Sequence, residues 1–496
     1  MTLDNSPTAG QTISVTDLTG SKDTTGSKDT INEELLDFLY ACPTSYHTAD
    51  TVRRILLKEG YTELAESAPW VLERGGRYFA VRGESSIIAF RLPHCEPSGF
   101  MIAASHTDSP TMKIKVNPEM KGDGYIRLNV EKYGGLTLQS WFDRPLSVAG
   151  RVVVRTERGL ASRLISVDRD LLMIPRLAIH MDRKQNEGQA LNIQKDLLPI
   201  YGLSESAGTF MDLIASEAGC AAGDILGHDL YLYVRGRGTI WGARNEFLSA
   251  GHLDDLLCGF ADLKGFLAAE ASEKSPCVPV LAIFDNEEVG SRSRQGADSG
   301  FLSDILHRIC NDLSWGDRKA RSAQSNDAQL HDEHGQLRAA RANDVQTHDE
   351  HFRIMTAGSF MISADNAHAV HPNYPDRADP VNRPALNKGP VIKYNASLRY
   401  MTDAVSAAVF KELCRRAGVP CQEFTDRSDI VGGSTLGHQS MTHFSIPTAD
   451  VGLPQLSMHS AYETAGTADT AYLIEVMKIF FSSSLRNEGR DCYTIE

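Results

Sequence analysis

The sequence has 496 residues, of which 42% are hydrophobic, and a formal net charge of -14. This length exceeds one comfortable hydrophobic core and predicts two domains. The acidic balance argues against a nucleic-acid partner, and the absence of any run of about 18 apolar residues argues against a membrane span. Nine cysteines without CxxC spacing, together with the lack of a signal-peptide core, predict free thiols in the cytoplasm.

The chain begins with a polar tail. Residues 1–30 are rich in Thr, Ser, Gly and Asp and repeat the hexapeptide Thr-Gly-Ser-Lys-Asp-Thr in tandem. Such a composition cannot bury enough apolar surface to fold, so the tail is predicted to be disordered. Helices are predicted from near Asn32 onward and over residues 51–58.

An apolar run starting at Met101 ends in the segment His106-Thr-Asp108. An aspartate two residues beyond a metal-binding histidine can fix the tautomer of the ring and raise its basicity. A lone histidine after a strand is more often a hydrogen-bonded core residue. This segment therefore gains meaning only in combination with others.

The segment from 111 to 246 differs in character from its surroundings. Alternating runs such as Met112-Lys-Ile-Lys-Val116 and Gly150-Arg-Val-Val-Val154 predict antiparallel strands. It separates His106 from the acidic pair in Leu253-Asp254-Asp255. We therefore predict a β domain over 111–246, inserted into an α/β domain that comprises 31–110 and 247–490.

The most informative segment is Asp285-Asn-Glu-Glu-Val-Gly290. It follows the run 278–284, which is almost wholly apolar and is typical of a strand buried on both faces. Carboxylates at such a place must be solvated, paired or bound to metal. Glu287 beside Glu288 suits a general base next to a metal ligand, although an acidic turn with Gly290 at the bend is the simpler alternative. Neighbouring side chains on a strand point to opposite faces, so the backbone must leave strand geometry here.

Three further features complete the chain. Residues 317–352 are polar and are predicted to form a flexible loop insertion without an assigned function, although four histidines there could also suggest a metal-binding tract. Another apolar run ends in Asp365, and His459 lies in an otherwise uncharged segment. The histidines of the polar insertion are His331, His334, His348 and His351.

A common pattern links these segments: an apolar run ends, and a histidine or a carboxylate follows. In an open α/β sheet, ligands bind at the carboxyl ends of the strands. The sequence therefore predicts the α/β class, with the polar residues gathered at one edge of the sheet.

Several of these segments resemble the aspartyl aminopeptidase family. The resemblance runs in the same order from about residue 45 to about residue 471. The family usually has Asp-Asn where this chain has Asp254-Asp255. The matching motifs are Ala104-Ser-His-Thr-Asp-Ser-Pro110, Leu253-Asp-Asp-Leu256, Asp285-Asn-Glu-Glu-Val-Gly-Ser291, Ser363-Ala-Asp-Asn-Ala-His-Ala-Val-His-Pro-Asn-Tyr374, Gly389-Pro-Val-Ile-Lys393 and Ser457-Met-His-Ser-Ala-Tyr-Glu463.

The resemblance implies a mixed sheet flanked by helices, of the zinc-aminopeptidase type, with an inserted dimerisation domain that is mostly β. It also implies a site for two divalent ions bridged by one carboxylate, which we assign to Asp254. Carboxylates with one imidazole per ion suit zinc and also accept manganese or cobalt. The implied ligands are His106, Asp254 and Asp365 for one ion, and Asp254, Glu288 and His459 for the other.

Further roles follow from the same resemblance. Glu287 would be the general base that activates water, and Asp108 would orient His106. Lys393 would contact an acidic side chain of the substrate, although by itself it could equally lie on a solvated strand edge. The other residues implied in substrate binding are Tyr400 near Lys393, Gly433 and Ser434 in a glycine-rich loop, and His180, which would reach the active site of a neighbouring subunit.

The expected function is a metalloaminopeptidase that removes N-terminal Asp, and Glu, from peptides. The resemblance implies a homo-oligomer that is built from dimers, up to a dodecamer. Two alternatives remain open at this point: an aminopeptidase of other specificity or a related two-metal hydrolase, and a non-catalytic oligomeric shell. A neutral-residue peptidase would need an apolar pocket in place of Lys393.

Overall fold

The structure, a computed structural model, describes residues 28–270, 275–324, 349–437, 445–489 and 493–496. Residues 1–27 of the predicted disordered tail lie outside this part. Residues 28–30 are helical rather than disordered, because the first helix begins at Lys28 with Asp29 in its first turn, where a negative charge is favourable. Among the described residues, no helix is both long enough and apolar enough to cross a membrane.

The helices bury apolar faces against the sheets. The first two were predicted to begin near residues 32 and 51, and both begin earlier, at Lys28 and Ser45. The helices in chain order are α1 Lys28–Ala41, α2 Ser45–Lys58, α3 Ile193–Asp196, α4 Phe210–Ala218, α5 Leu253–Ala268, α6 Phe301–Gln324, α7 349–357, α8 Ala404–Ala417 and α9 Asp469–Ser482.

The strands form two large sheets, a smaller five-stranded sheet and a hairpin near the C-terminus. In chain order they are β1 Thr62–Glu63, β2 Arg77–Arg82, β3 Ser86–Arg91, β4 Gly99–His106, β5 Thr111–Gly122, β6 Tyr125–Tyr133, β7 Leu146–Thr156, β8 Gly159–Ser166, β9 Ile200–Leu203, β10 Ile225–Val234, β11 Thr239–Trp241, β12 Phe247–Ala250, β13 Cys277–Phe284, β14 Phe360–Ala364, β15 Ala367–His368, β16 Val391–Tyr394, β17 Gln422–Thr425, β18 Thr448–Gly452, β19 Pro454–Leu456, β20 Glu463–Gly466, β21 Leu485–Asn487 and β22 Tyr493–Ile495.

A nine-stranded sheet forms the centre of the molecule, in the order β1-β2-β3-β13-β4-β14-β18-β16-β17. Its middle strands β13, β4, β14 and β18 are parallel to one another and almost completely buried. Helices α1, α2, α5, α8 and α9 pack on one face, and α6 and α7 pack on the other. The prediction of the α/β class, with a mixed sheet flanked by helices, is confirmed.

The inserted segment forms its own antiparallel sheet, in the order β8-β7-β10-β5-β6-β9. It has a separate apolar core, to which α4 contributes Phe210 and Ile214. This sheet ends with β10 at Val234, before the predicted boundary at residue 246. Strand β11 instead pairs with β12, because Thr239, Ile240 and Trp241 continue the five-stranded sheet β11-β12-β20-β19-β15. The role of the inserted segment in dimerisation stays a prediction.

The polar segment 317–352 is not a loop at its two ends. Helix α6 continues to Gln324, and α7 already includes residues 349–352. Residues 325–348, with His331, His334 and His348, lie outside the described part of the chain. Both ends of the segment thus continue the neighbouring helices, although their polar composition alone predicts a loop.

A buried carboxylate fixes the start of β16, the strand that carries Lys393. Asp469, at the first turn of α9, is fully buried and accepts hydrogen bonds from the backbone N–H groups of Asn387 (2.6 Å) and Gly389 (2.8 Å). Gly389 has φ 88°, and a Cβ atom there would lie 2.0 Å from the carbonyl oxygen of Pro420. The Gly389-Pro-Val-Ile-Lys393 motif therefore needs both the glycine and the distant aspartate.

Replacing Asp469 by alanine should lower the free energy of unfolding by about 2–5 kcal/mol, because two buried backbone donors lose their acceptor. The matched control is Asp403→Ala, which removes the exposed N-cap of α8 and its bond from the Ser406 N–H (2.7 Å) at a cost of about 1 kcal/mol. Thermal unfolding of the two variants measures the difference. Equal losses would show that Asp469 contributes no more to stability than an exposed N-cap does.

Candidate metal centre

Three parallel strands end side by side and bring their following residues together. Phe284, the last residue of β13, pairs with His106 at the end of β4, and Ser363 of β14 pairs with Ala104. Glu287, Glu288 and Asp365 follow directly after these strand ends. The pattern of an apolar run followed by a polar residue therefore describes one edge of the sheet, as predicted.

Two more elements supply the remaining side chains. Asp254 lies at the start of α5, behind His252, whose φ is 62°, and the Asp254–Asp255 peptide bond is cis. His459, with φ 65°, lies between β19 and β20. The carboxylate of Glu463 joins the two, because it accepts hydrogen bonds from the backbone N–H of Asp254 (3.0 Å) and of His459 (2.7 Å).

Both histidines present a free ring nitrogen to the carboxylates. His106 Nδ1 donates to the carbonyl oxygen of Asp108 (2.9 Å), and His459 Nδ1 donates to that of Gly135 (2.8 Å). A carbonyl can only accept, so each Nδ1 carries a hydrogen, and Nε2 is the ring nitrogen that offers a lone pair to a metal when the imidazole is neutral. His106 Nε2 lies 3.7 Å from Asp254 Oδ1, and His459 Nε2 lies 3.3 Å from Asp254 Oδ2 and 3.4 Å from Glu288 Oε1.

These donor atoms form overlapping groups that could hold metal ions, the atoms of each group lying within 4.8 Å of one another. Asp254 belongs to both of the predicted ligand sets, as a bridging carboxylate would. A third group contains Glu287, so this side chain lies within reach of the same centre. The groups are His106 with Asp254 and Asp365, Asp254 with Glu288 and His459, and His106 with Glu287 and Glu288.

Two buried carboxylate oxygens of the centre show whether the site suits a metal ion. Asp254 Oδ1 and Glu288 Oε1 are buried, and neither has a hydrogen-bond partner within the described part of the chain. An unpaired buried carboxylate oxygen is costly, and a divalent cation would satisfy both atoms at once. Carboxylate oxygens with imidazole nitrogens are suitable ligands for zinc, and also for manganese or cobalt. The residues present therefore fit the predicted ions.

The electrostatics of the side chains agree with this fit. Burial raises the pKa of Glu288, and the neighbouring Asp254 carboxylate raises it further. Burial opposes charge on His106, yet its contact with Asp108 and the charge of Asp255 raise its pKa well above the ordinary value. Without a metal, the centre would thus bind protons to offset its crowded carboxylates. A divalent cation supplies the same positive charge.

Asp108 has a wider task than the predicted orientation of His106. Its backbone oxygen holds the ring, whereas its carboxylate lies 3.5 Å from His106 Nδ1. The carboxylate accepts hydrogen bonds from the backbone N–H of Glu287 (3.1 Å) and of Glu288 (3.2 Å), and from the hydroxyl of Tyr133 (2.7 Å). Asp108 therefore fixes the two glutamates as well as the histidine.

The backbone leaves strand geometry at the glutamate pair, as predicted. Asn286 has φ 66°, Glu287–Val289 form a single 3-10 turn, and Gly290 has φ 95°. The turn allows neighbouring residues to face one centre, which a strand would not. The left-handed conformation of Asn286 was not predicted, although asparagine is among the non-glycine residues that adopt it most readily.

The predicted substrate-binding residues divide into two groups. Lys393, Tyr400, Gly433 and Ser434 line the same cleft as the candidate metal ligands, and this cleft encloses about 290 Å³. His180 does not line this cleft; it is exposed in a segment after β8. Within one chain, the structure therefore does not bring His180 to the centre.

Two carboxylates that hold the site together, those of Glu463 and Asp450, were assigned no role on the basis of the sequence. Glu463 ties Asp254 to His459, and the signal for it was an acid four residues after a histidine in an uncharged segment. Asp450 of β18 is fully buried and accepts hydrogen bonds from the hydroxyl of Thr435 (2.6 Å) and the backbone N–H of Met401 (2.5 Å). It thus joins the glycine-rich loop to the segment that carries Tyr400.

The family model described as Aminopeptidase I zinc metalloprotease (M18) matches residues 38–331 and 336–481. A probable M18 family aminopeptidase 2 from Clostridium acetobutylicum is 43% identical over 459 residues, which cover 91% of this chain and 98% of that protein.

Two solved structures share the whole architecture. Ape4 in its complex with Nbr1 has a TM-score of 0.82 at 33% identity, covering 92% of this chain and 87% of that one. The mApe1 dodecamer of S. cerevisiae has a TM-score of 0.73 at 26% identity, covering 92% of this chain and 96% of that one. The similarity therefore includes both the nine-stranded sheet and the inserted segment.

Replacing Tyr133 by phenylalanine should weaken divalent metal binding by roughly 10- to 100-fold, because Asp108 loses a donor and positions Glu288 less firmly. Tyr231→Phe is a matched control, since its ring packs edge-on against that of Tyr133 at 5.6 Å and the same hydroxyl is removed. Zinc titration of the chelator-treated protein by calorimetry measures the effect. Equal affinities in the two variants would contradict the role assigned to Tyr133.

Proposed function

Because the chain belongs to the M18 aminopeptidase family, we propose that it removes N-terminal aspartate, and glutamate, from peptides. The observation that carries the acidic preference is the buried ammonium of Lys393 in the cleft of the metal centre. A neutral-residue aminopeptidase would need an apolar surface at this position.

Lys393 keeps its charge and retains one hydrogen-bond donor for a ligand. Its Nζ donates to the carbonyl oxygens of Asp365 (2.6 Å) and Asn366 (3.3 Å), so that one of three N–H groups remains. Burial alone would lower the pKa of Lys393, but the carboxylate of Asp365 at 3.5 Å, together with Tyr400, raises it above the ordinary value. A permanent cation in a dry pocket favours a carboxylate ligand.

Tyr400 completes the pocket around that cation. Its ring lies 5.3 Å from Lys393 Nζ, and its side chain is almost fully buried. The pair excludes water from the floor of the cleft, which strengthens the attraction between Lys393 and a substrate carboxylate. The Gly433–Ser434 segment also lines the cleft, and the hydroxyl of the neighbouring Thr435 donates a hydrogen bond to Asp450.

Two zinc ions, when bound at this centre, supply a polarised carbonyl and a water molecule of lowered pKa. Glu287 is the side chain that would take the proton from the attacking water and return it to the leaving amine. Burial raises the pKa of Glu287 to about 8, as do the neighbouring carboxylates of Asp365, Asp108 and Asp254, against the opposing charge of His106. Positive charge at the centre counteracts that shift and favours the ionised base.

We further propose a homo-oligomer built from dimers, in line with the dodecamer formed by the related mApe1. Leu177, Ile179 and Met181 are large apolar residues with 52%, 42% and 75% of their surface exposed, and they surround His180. Contact with another copy would cover them. This supports the expectation that His180 acts at the active site of a neighbouring subunit.

The cysteines among the described residues are all free thiols, which is consistent with a cytoplasmic protein.

The substitution Glu287→Gln should reduce kcat by roughly 10²- to 10⁴-fold on an Asp-containing peptide, because the amide cannot accept the proton. Zinc content measured by atomic absorption should stay at the wild-type level, since the proposed ligand sets do not need Glu287. Turnover near the wild-type rate would exclude Glu287 as the base. Loss of zinc would instead assign it to the ligands.

The substitution Lys393→Met should reduce kcat/KM for peptides with N-terminal Asp by roughly 10- to 100-fold, the loss expected for one charge-assisted hydrogen bond. Peptides with N-terminal Leu should not lose activity. Lys388→Met is the matched control, because Lys388 is exposed in the same segment. Equal losses on Asp and Leu peptides would remove Lys393 from the specificity role.

A further inference from the structure

A second cavity adjoins the cleft of the metal centre. It encloses about 280 Å³ and shares three lining residues with the cleft, namely His368, Phe424 and Gly433. His368, Phe424 and Gly433 therefore lie at the boundary between the two spaces. Neither the metal ligands nor Lys393 line the second cavity, so it has no part in the proposed chemistry itself.

Phe424 stands between the two spaces. Its ring packs edge-on against Tyr400, beside Lys393, with 6.4 Å between the ring centroids, and against His368 with 6.1 Å between them. The pocket proposed to bind the acidic side chain of the substrate is closed at its floor, because Lys393 and Tyr400 are only 2% and 4% exposed. A peptide whose first side chain enters that pocket must therefore continue elsewhere. One extended residue spans about 3.3–3.6 Å, so a second or third residue that continues past Phe424 would extend into the adjoining cavity.

The lining of the second cavity combines charged residues, among them Arg377, Asp379 and Arg427, with large apolar side chains. Tyr374, Ile430 and Val431 line this cavity and have 58%, 42% and 79% of their surface exposed. Three large exposed apolar side chains around one cavity indicate a binding surface rather than scattered surface residues. A ligand side chain that covers them would gain the free energy of removing apolar area from water.

We propose that this adjoining cavity is a subsite for the leaving peptide, where a bulky apolar side chain at the second or third position binds against Tyr374, Ile430 and Val431. The inference rests on the proposed removal of acidic N-terminal residues and adds a second determinant to it. The enzyme would then read two features of its substrate: a carboxylate at Lys393 and an apolar side chain beyond Phe424.

The test compares the zinc-loaded full-length protein on Asp-Gly-Gly, Asp-Leu-Gly and Asp-Gly-Leu, with free aspartate measured by chromatography. At least one leucine peptide should have a kcat/KM about tenfold above that of Asp-Gly-Gly. In the double variant Ile430→Ser/Val431→Ser, this ratio should fall to about one. Val381→Ser is the matched control, because Val381 is 80% exposed nearby but does not line the cavity, and it should keep the wild-type ratio.

A wild-type ratio near one would overturn the subsite. So would a double variant that loses all three peptides equally and forms smaller particles in light scattering, since the surface would then be a contact between copies. Failure of the proposed acidic specificity looks different. Asp-Gly-Gly would resist cleavage while Leu-Gly-Gly is cleaved, and the ratio of Leu-Leu-Gly to Leu-Gly-Gly would then test the subsite independently.

Discussion

Four carboxylates, those of Asp254, Glu287, Glu288 and Asp365, converge on one small volume at the carboxyl edge of a buried sheet. Like charges so close together repel, and burial adds a cost for each of them. Positive charge must therefore be brought to the centre. Metal ions are suited to supply most of it, and Lys393 supplies a fixed part. Much of the surrounding structure can be understood as the means of holding these acids in place against their repulsion.

The means are mostly backbone N–H groups and further carboxylates that do not point at the centre. Asp108 binds the amides of the glutamate turn, and Glu463 binds the amides of Asp254 and His459. Asp450 does the same for the substrate side of the cleft, through Met401. Each of these acids joins segments that are distant in sequence. A bond of this kind fixes a backbone position, which a contact between flexible side chains would not do.

The α/β class and the strand ends could be predicted from the sequence, because each depends on a local pattern: an apolar run and the residue after it. The ligand sets of the candidate metal centre were instead implied by the resemblance to a known family, and they stay a prediction. The contacts of Asp108 with the glutamate turn and the role of Glu463 could not be predicted in this way. They depend on which distant backbone amides meet in the folded chain, and sequence spacing carries no record of that. The end of the inserted sheet at β10 could not be predicted for a similar reason, since the pairing of β11 with β12 is set by tertiary contacts.

The inserted segment also contributes directly to the metal centre. Tyr133, at the end of β6, donates to Asp108, and the carbonyl oxygen of Gly135 orients His459. A Cβ atom on Gly134 would lie 3.1 Å from that of Glu288, so a larger residue at this position would require Glu288 to shift. The inserted segment therefore lines one side of the candidate metal centre, although in sequence it interrupts the domain that carries the centre.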